Sequence, residues 1–260
     1  GQRLSLSPTQ KGEIFYCYAQ NVLREYELMQ AHFHAGSALN HSPVNIVTGQ
    51  TLSLSLLPHI VENLRNKIPE IIINAEVQPV GRSKITDTVF QHGDVDFVLT
   101  TDCAYGEEII QERFISDPLV LICNHKIHVP LEITGEILKT LPIVSREESA
   151  ASNKIIDQEL KKIGLSYSNL NIVMSLHGTT AIREMVKNGK YCGFIPLSLI
   201  SNADIDTYYS ISRVKDVKFD RAICLYHKKS SPLSPCAVLV RRFILGREWR
   251  NYPYNSDIYA

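Results

Sequence analysis

Much is scarce in this chain, and each scarcity removes a class of function. No apolar run approaches the ~20 residues that a membrane-crossing helix needs. The N-terminus has no charged-then-apolar signal segment. Lys+Arg and Asp+Glu are equal at 27 each, so the formal net charge is +0, and there is no basic field of the kind that marks nucleic-acid contact. The six cysteines, Cys17, Cys103, Cys123, Cys192, Cys224 and Cys236, form no CxxC pair. That argues against zinc and thioredoxin-like sites, and buried reduced thiols are the simplest account. There is no G-x-S-x-G elbow, no GxGxxG and no GxxxxGK[ST], which takes away the strongest enzyme and nucleotide signals. Nine histidines include no HExxH. Asp94 and Asp96 have no third ligand spaced with them, so a turn leading into a strand explains them better than a metal does. No catalytic residue, metal or cofactor is therefore expected.

What is present is an ordinary folded composition, 44% hydrophobic and 21% charged over 260 residues. The chain is organised around Val44 to Glu70. Val44 to Thr48 is a β-branched run that reads as a strand. Gly49-Gln50-Thr51 makes a turn. Leu52, Leu56, Leu57, Ile60, Val61 and Leu64 then recur at helical spacing until Pro69. A strand, a small polar turn and a helix is how an open α/β sheet presents backbone N–H groups to a ligand. Thr51 and Ser53 sit where their hydroxyls either cap the helix or touch that ligand.

Before this unit, Ser7-Pro8-Thr9-Gln10 is a helix start. A stripe at Ile14, Phe15, Tyr18, Val22, Tyr26, Met29 and Phe33 follows. A single long helix with one apolar stripe needs a partner, and a second chain is expected to supply it. Ala35 to Pro43 reads as a linker. After the unit come a strand at Ile71 to Val77, a short helix at Ser83 to His92, and a strand at Asp94 to Thr100. Together they make β-α-β-α-β, hence a parallel sheet. Asp117 to Asn124 is another strand.

A second set begins with a strand at Leu141 to Ser145 and a helix at Ser152 to Lys162, stopped by Gly164. A strand at Leu170 to Ser175, a helix at Thr179 to Asn188, and strands at Tyr191 to Ile195 and Thr207 to Ser212 follow. Arg221 to His227 is a late strand, and Ser234 to Arg247 a terminal helix. From Glu248 the tail is polar and Tyr-rich, loosely ordered or lying on the surface. Two α/β units joined by two strands, Asp117–Asn124 outward and Arg221–His227 back, form a hinged two-lobed binder with its ligand in the cleft. The strand-end loops at Gln50–Ser53, Thr100–Asp102, Ser145–Ser152, Ser175–Thr180 and Pro196–Ser198 converge there. Their Ser/Thr richness suits a small polar or anionic ligand. Ser149, Ser152 and Thr179 also read as possible helix caps, and His177 as a cleft or core residue.

Several stretches resemble the LysR-type transcriptional regulators. RLSLSPTQKGEIFYCYAQNVL is similar to the wing end and start of the linker helix. VTGQTLSLSLLPHIVENLRNKIPEI resembles the first strand and helix of the regulatory domain. IREMVKNGKYCGFIP resembles the second lobe's Val-x-x-Gly-x-Gly pattern, with Tyr191 in place of the second Gly. SPLSPCAVLVRRFI is similar to the final helix. The resemblance implies a two-lobed type 2 periplasmic-binding-protein-like α/β fold with two crossover strands, preceded by a long linker helix. It implies a wing remnant at 1–8, a linker helix for dimerisation at 9–36, lobe I at 44–118 and 226–248, lobe II at 119–225, and a tail at 249–260.

Implied effector contacts are Gln50, Thr51 and Ser53, then Thr100 and Thr101, and on the second lobe Ser149, Ser152, His177 and Pro196. The implied partners are a small-molecule effector and further copies of the chain, as a homodimer or homotetramer in the cytoplasm. DNA would be read only by a winged helix-turn-helix that these residues do not include, because Gly1 falls inside the wing. The alternatives are a free solute-binding protein of the same fold and an oxidant-sensing regulator.

Overall fold

In the computed structural model, the residues described are 43–80, 89–90, 95–231 and 233–246, with Thr9, Lys11, Gly12, Phe15, Ala19, Val22 and Trp249. The first lobe opens with β1 (Val44–Thr48), α1 (Gln50–Leu54), α2 (Leu56–Lys67), β2 (Ile73–Val77) and β3 (Phe97–Thr101). Both β2 and β3 pair parallel with β1, as the β-α-β-α-β pattern requires. The helix expected after Gly49 is broken at Ser55 (φ −101°, ψ −67°), which separates α1 from α2. Of the expected helix at Ser83 to His92, only Val89 and Phe90 are described, and both are helical.

The sequence patterns did not show β4 (Ile109–Ser116), which pairs with the late strand at the edge of the sheet. Its Gln111-Glu112-Arg113 centre masks the alternation that betrays a strand. Next come β5 (Leu119–Asn124), β6 (Glu132–Ile133), α3 (Gly135–Thr140), β7 (Ile143–Arg146), α4 (Ala151–Lys161), β8 (Ile172–Leu176), α5 (Thr179–Asn188) and β9 (Cys192–Pro196). The chain closes with α6 (Asn202–Thr207), β10 (Tyr209–Val214), β11 (Ala222–Lys228) and α7 (Pro235–Gly246). The strand expected from Thr207 starts two residues later, because Ser201 caps α6 by accepting from Asp204 N–H.

The strands form two sheets. The first runs β2-β1-β3-β11-β4 and the second β6-β10-β5-β9-β7-β8. The expected joining strands need correction. Asp117 and Pro118 pass the chain between sheets as a short link between β4 and β5. β11 does not bridge the lobes. It lies antiparallel between β3 and β4 from Ala222 to Lys228. Residues 222–225, assigned from sequence to the second lobe, therefore run in the first sheet. Pairing with β4, through a register shift between Ile223 and Cys224, and with β3 from Ile223 onward holds them there.

Each lobe buries its own core. In the first, Leu57, Ile60 and Leu64 of α2 pack with Val240, Phe243 and Ile244 of α7 against one face of the sheet. In the second, Leu160, Phe194 and Phe219 cluster on one face, with Val120, Ile182 and Val186 on the other. Trp249, expected in an exposed tail, is instead buried at 1% exposure. Its ring meets Phe114 edge-on at 6.0 Å, and its N–H donates to the Ile244 carbonyl at 3.0 Å. Burying so large a ring outweighs the polar character of its neighbours.

The wing remnant lies outside the described residues, and so does most of the linker helix. Lys11, Gly12, Phe15, Ala19 and Val22 are helical, with Phe15 and Val22 exposed. Among the described residues no helix is long and apolar enough to cross a membrane.

Candidate functional site

Between the lobes lies a cavity of about 340 Å³. Gln50 and Thr51 enter it from α1, and Thr100 and Thr101 from the end of β3. The parallel order β2-β1-β3 places both carboxyl ends on one edge, where α/β sheets collect ligands. Gln78 and Val80 close the side, after the Gln78 N–H bonds to the Thr48 carbonyl at 3.0 Å.

From the second lobe come Arg146, at the end of β7, and Ala150, Ala151 and Ser152, at the start of α4. Ala150 caps α4 without a side-chain hydrogen bond. That N-terminal turn therefore offers backbone N–H groups and the positive end of the helix dipole. The Ser152 hydroxyl is buried and has no hydrogen-bond partner among the described residues. Arg221, which directly precedes β11, completes the lining.

Arg146 is firmly oriented. Its Nε and Nη2 donate to the two Glu147 carboxylate oxygens at 2.8 and 2.9 Å. Its Nη1 donates to Thr179 Oγ1 at 2.9 Å. Thr179 Oγ1 in turn lies 3.4 Å from Thr51 Oγ1. A polar chain thus runs from the second lobe to the first beside the cavity. Gly178 (φ +87°) lies beside it, and a Cβ there would sit 3.3 Å from Gln50 Oε1. The close approach and the left-handed backbone both favour glycine.

The cavity therefore brings together Gln50, Thr51, Thr100, Thr101 and Ser152 of the expected site. Four other expected residues are outside its lining. Ser53 turns its hydroxyl back to the Gln50 carbonyl at 2.8 Å. Ser149 and His177 are exposed, and Pro196 is buried in the β5–β9 pairing. Ser152 and Thr179 are not N-caps, because Ala150 and Gly178 hold those positions. Arg146 and Arg221 were missed. A lone arginine carries no spacing signal, although Arg146 does fall within the expected Ser145–Ser152 loop.

Near Thr101, the buried Tyr226 hydroxyl accepts from Cys103 N–H at 3.0 Å and Gln111 Nε2 at 2.8 Å. Burial pushes the Cys103 thiol up and the Cys224 thiol to about 11. The β5–β9 register sets Cys123 opposite Cys192. There the Cys123 contact and burial push the Cys192 thiol up. Protonated, buried thiols are poor nucleophiles.

Residues 37–248 match the LysR substrate binding domain family. The chain belongs to that family. It is 28% identical over 206 residues to a probable RuBisCO transcriptional regulator of Cyanidioschyzon merolae, covering 74% of this chain and 64% of that protein. A probable RuBisCO transcriptional regulator of Trieres chinensis is 25% identical over 228 residues, covering 85% of this chain and 72% of that protein.

Among solved structures, a reduced form of OxyR from N. meningitidis superposes with TM-score 0.63 at 16% identity, covering 80% and 96% of the two chains. The effector binding domain of QuiR in complex with shikimate gives 0.62 at 15%, covering 80% and 97%. The Synechocystis CcmR regulatory domain in complex with 2-PG gives 0.64 at 13%, covering 78% and 96%. These likenesses establish the fold of LysR effector-binding domains, which is periplasmic-binding-protein-like.

Proposed function

We propose that this chain is the effector-sensing region of a LysR-type transcriptional regulator. It takes a small polar or anionic ligand in the cleft between its lobes. It passes the resulting change to a DNA-binding domain that lies outside these residues. It works as a homo-oligomer in the cytoplasm, with the 9–36 helix contributing to pairing, and it is not an enzyme.

The observation that carries this reading is the cavity lining. Both lobes and the hinge contribute to it, and its polar groups suit an acid group in a small ligand. They are the hydroxyls of Thr51, Thr100, Thr101 and Ser152, the start of α4, and two guanidiniums. The relatives named as transcriptional regulators support the regulatory role. The shikimate and 2-PG complexes of structural neighbours support a ligand of this size.

The test is a thermal-shift screen of small carboxylates and phosphates, shikimate and 2-PG among them. A ligand at 100 times its Kd stabilises a one-site protein by about 2.7 kcal/mol. A screen in which nothing raises the melting temperature, or a crystal with the ligand outside the cleft, overturns the reading.

A further inference from the structure

The two chain crossings between the sheets meet in one buried polar cluster. Asp117 belongs to the first crossing and is 2% exposed, and Arg221 ends the second and is 8% exposed. The Asp117 carboxylate accepts from the Ser198 backbone N–H at 2.9 Å and from the Ser198 hydroxyl at 2.8 Å. It also pairs with Arg221 Nη2. Arg221 Nε–H donates to the Asp117 carbonyl at 3.2 Å. The Ser198 hydroxyl shares a further hydrogen bond, at 3.1 Å, with the hydroxyl of Ser55. Ser55 belongs to the first lobe, at the break between α1 and α2, and Ser198 follows β9 of the second. The cluster therefore joins both crossings and both lobes.

It also reaches the cavity at two places. Ser55 is fixed to the end of α1, whose start carries Gln50 and Thr51 into the cleft. Arg221 lines the cleft directly. Its Nε and Nη2 are held by Asp117, while Nη1 makes no hydrogen bond to a described residue. A guanidinium is a rigid plane with a fixed fork of donors. An acceptor bound at one edge therefore constrains what the opposite edge can hold.

We propose that Arg221 couples ligand charge to lobe closure. Its Nη1 edge takes an anionic group of the ligand, and its opposite edge transmits that contact through Asp117 and Ser198 to Ser55. The charge-reading half rests on the cleft being the effector site. Without ligand, the same cluster already latches the lobes together, and an anion on Nη1 tightens that hold. The chemistry recognised is a carboxylate or phosphate oxygen placed beside the hinge.

The latch is tested on the full chain without ligand, by single-molecule energy transfer between labels at Glu62 on α2 and Lys161 on α4. Bio-orthogonal labels avoid the native cysteines. The wild type should show one dominant short-distance population. Ser198→Ala and Asp117→Asn should each shift it to longer distances, and Ser198→Thr should restore it. Melting curves show that each variant is folded. Distances unchanged in both variants overturn the latch.

Charge reading is tested with inorganic phosphate, followed by phosphorus NMR. Arg221→Gln should weaken phosphate binding by at least 10-fold. Arg221→Lys should recover most of that binding but not the short-distance population, because lysine has the charge without the two-edged fork. A wild type that does not bind phosphate, or an Arg221→Gln variant that binds it equally well, overturns charge reading. Failure of the metabolite screen would instead overturn the cleft reading and leave the ligand-free distances to decide the latch.

Discussion

The first lobe lines the cavity with neutral groups, Gln50, Thr51, Thr100 and Thr101, whereas the second brings Arg146 and the uncapped start of α4. The two sheets follow one plan, yet their chemistry at the cleft differs. A neutral hydrogen bond is worth about 0.5–1.5 kcal/mol net, and one to a charged group about 1.5–3. On the proposed reading of the cleft, the second lobe supplies affinity and the first supplies shape and orientation.

The lobes also differ in how charge is held away from the cleft. In the first lobe, Glu112 on β4 takes Arg241 Nε at 2.6 Å, pairs with Arg241 Nη2, and lies 3.5 Å from His227 Nε2. Burial opposes its ionisation, but these partners prevail and pull its pKa from 4.5 to about 2. In the second lobe, Asp157 is lowered by Lys161 and the Tyr167 backbone N–H, but it sits at the surface.

The largest expected effect tests whether the two cores are equivalent. Leu64→Ala in the first lobe and Leu160→Ala in the second each remove a side chain from a site that is 1% or less exposed. Each should cost about 2–5 kcal/mol in denaturant unfolding. A loss under about 1 kcal/mol in one of them would mark that lobe as loosely packed.

Arg146→Gln is next. It strips the cation from Glu147, which is 6% exposed, and should cost about 3 kcal/mol of stability. It should also weaken an anionic effector. Calorimetry showing unchanged affinity would remove the charge asymmetry between the lobes.

The third expectation concerns acid. Glu112 ionises more easily folded than unfolded, so its contribution is present above pH 4.5 and is lost as pH falls toward about 2. At neutral pH it should amount to about 3 kcal/mol. Glu112→Gln should flatten that part of the stability-against-pH curve, measured by urea unfolding at successive pH values. An unchanged slope would mean that the cluster does not hold α7 to β4.

The smallest effect belongs to a neutral group. Thr51→Val keeps its shape and loses one hydroxyl, so effector binding should weaken about 3- to 10-fold with the melting temperature unchanged. A loss as large as that of Arg146→Gln would erase the division of labour between the lobes.

Much of this was legible in advance. Val44–Thr48 with its following apolar stripe, and Thr179–Asn188 with its glycine stop, have local patterns strong enough to set their elements. Repeated twice, they determined a two-lobed α/β fold, while the strand-end loops and the family resemblance pointed to Gln50, Thr51, Thr100, Thr101 and Ser152, which the fold brings to one cavity. β4 was hidden because an edge strand tolerates a polar centre that breaks the alternation. Trp249 was misjudged because its burial depends on Phe114, more than a hundred residues away.

What the sequence alone determined is therefore the set of elements whose hydrophobic period is local, along with the loops at their ends. Only the tertiary structure decided which charges share a site. Arg146, Arg221, Asp117, Ser198 and Ser55 are far apart along the chain, and none carries a spacing signal. Arg221, Asp117, Ser198 and Ser55 meet because the chain crosses twice between two sheets, and Arg146 joins Arg221 as another part of the cavity lining. A buried carboxylate and guanidinium at those crossings must find partners, since burial without them costs several kcal/mol.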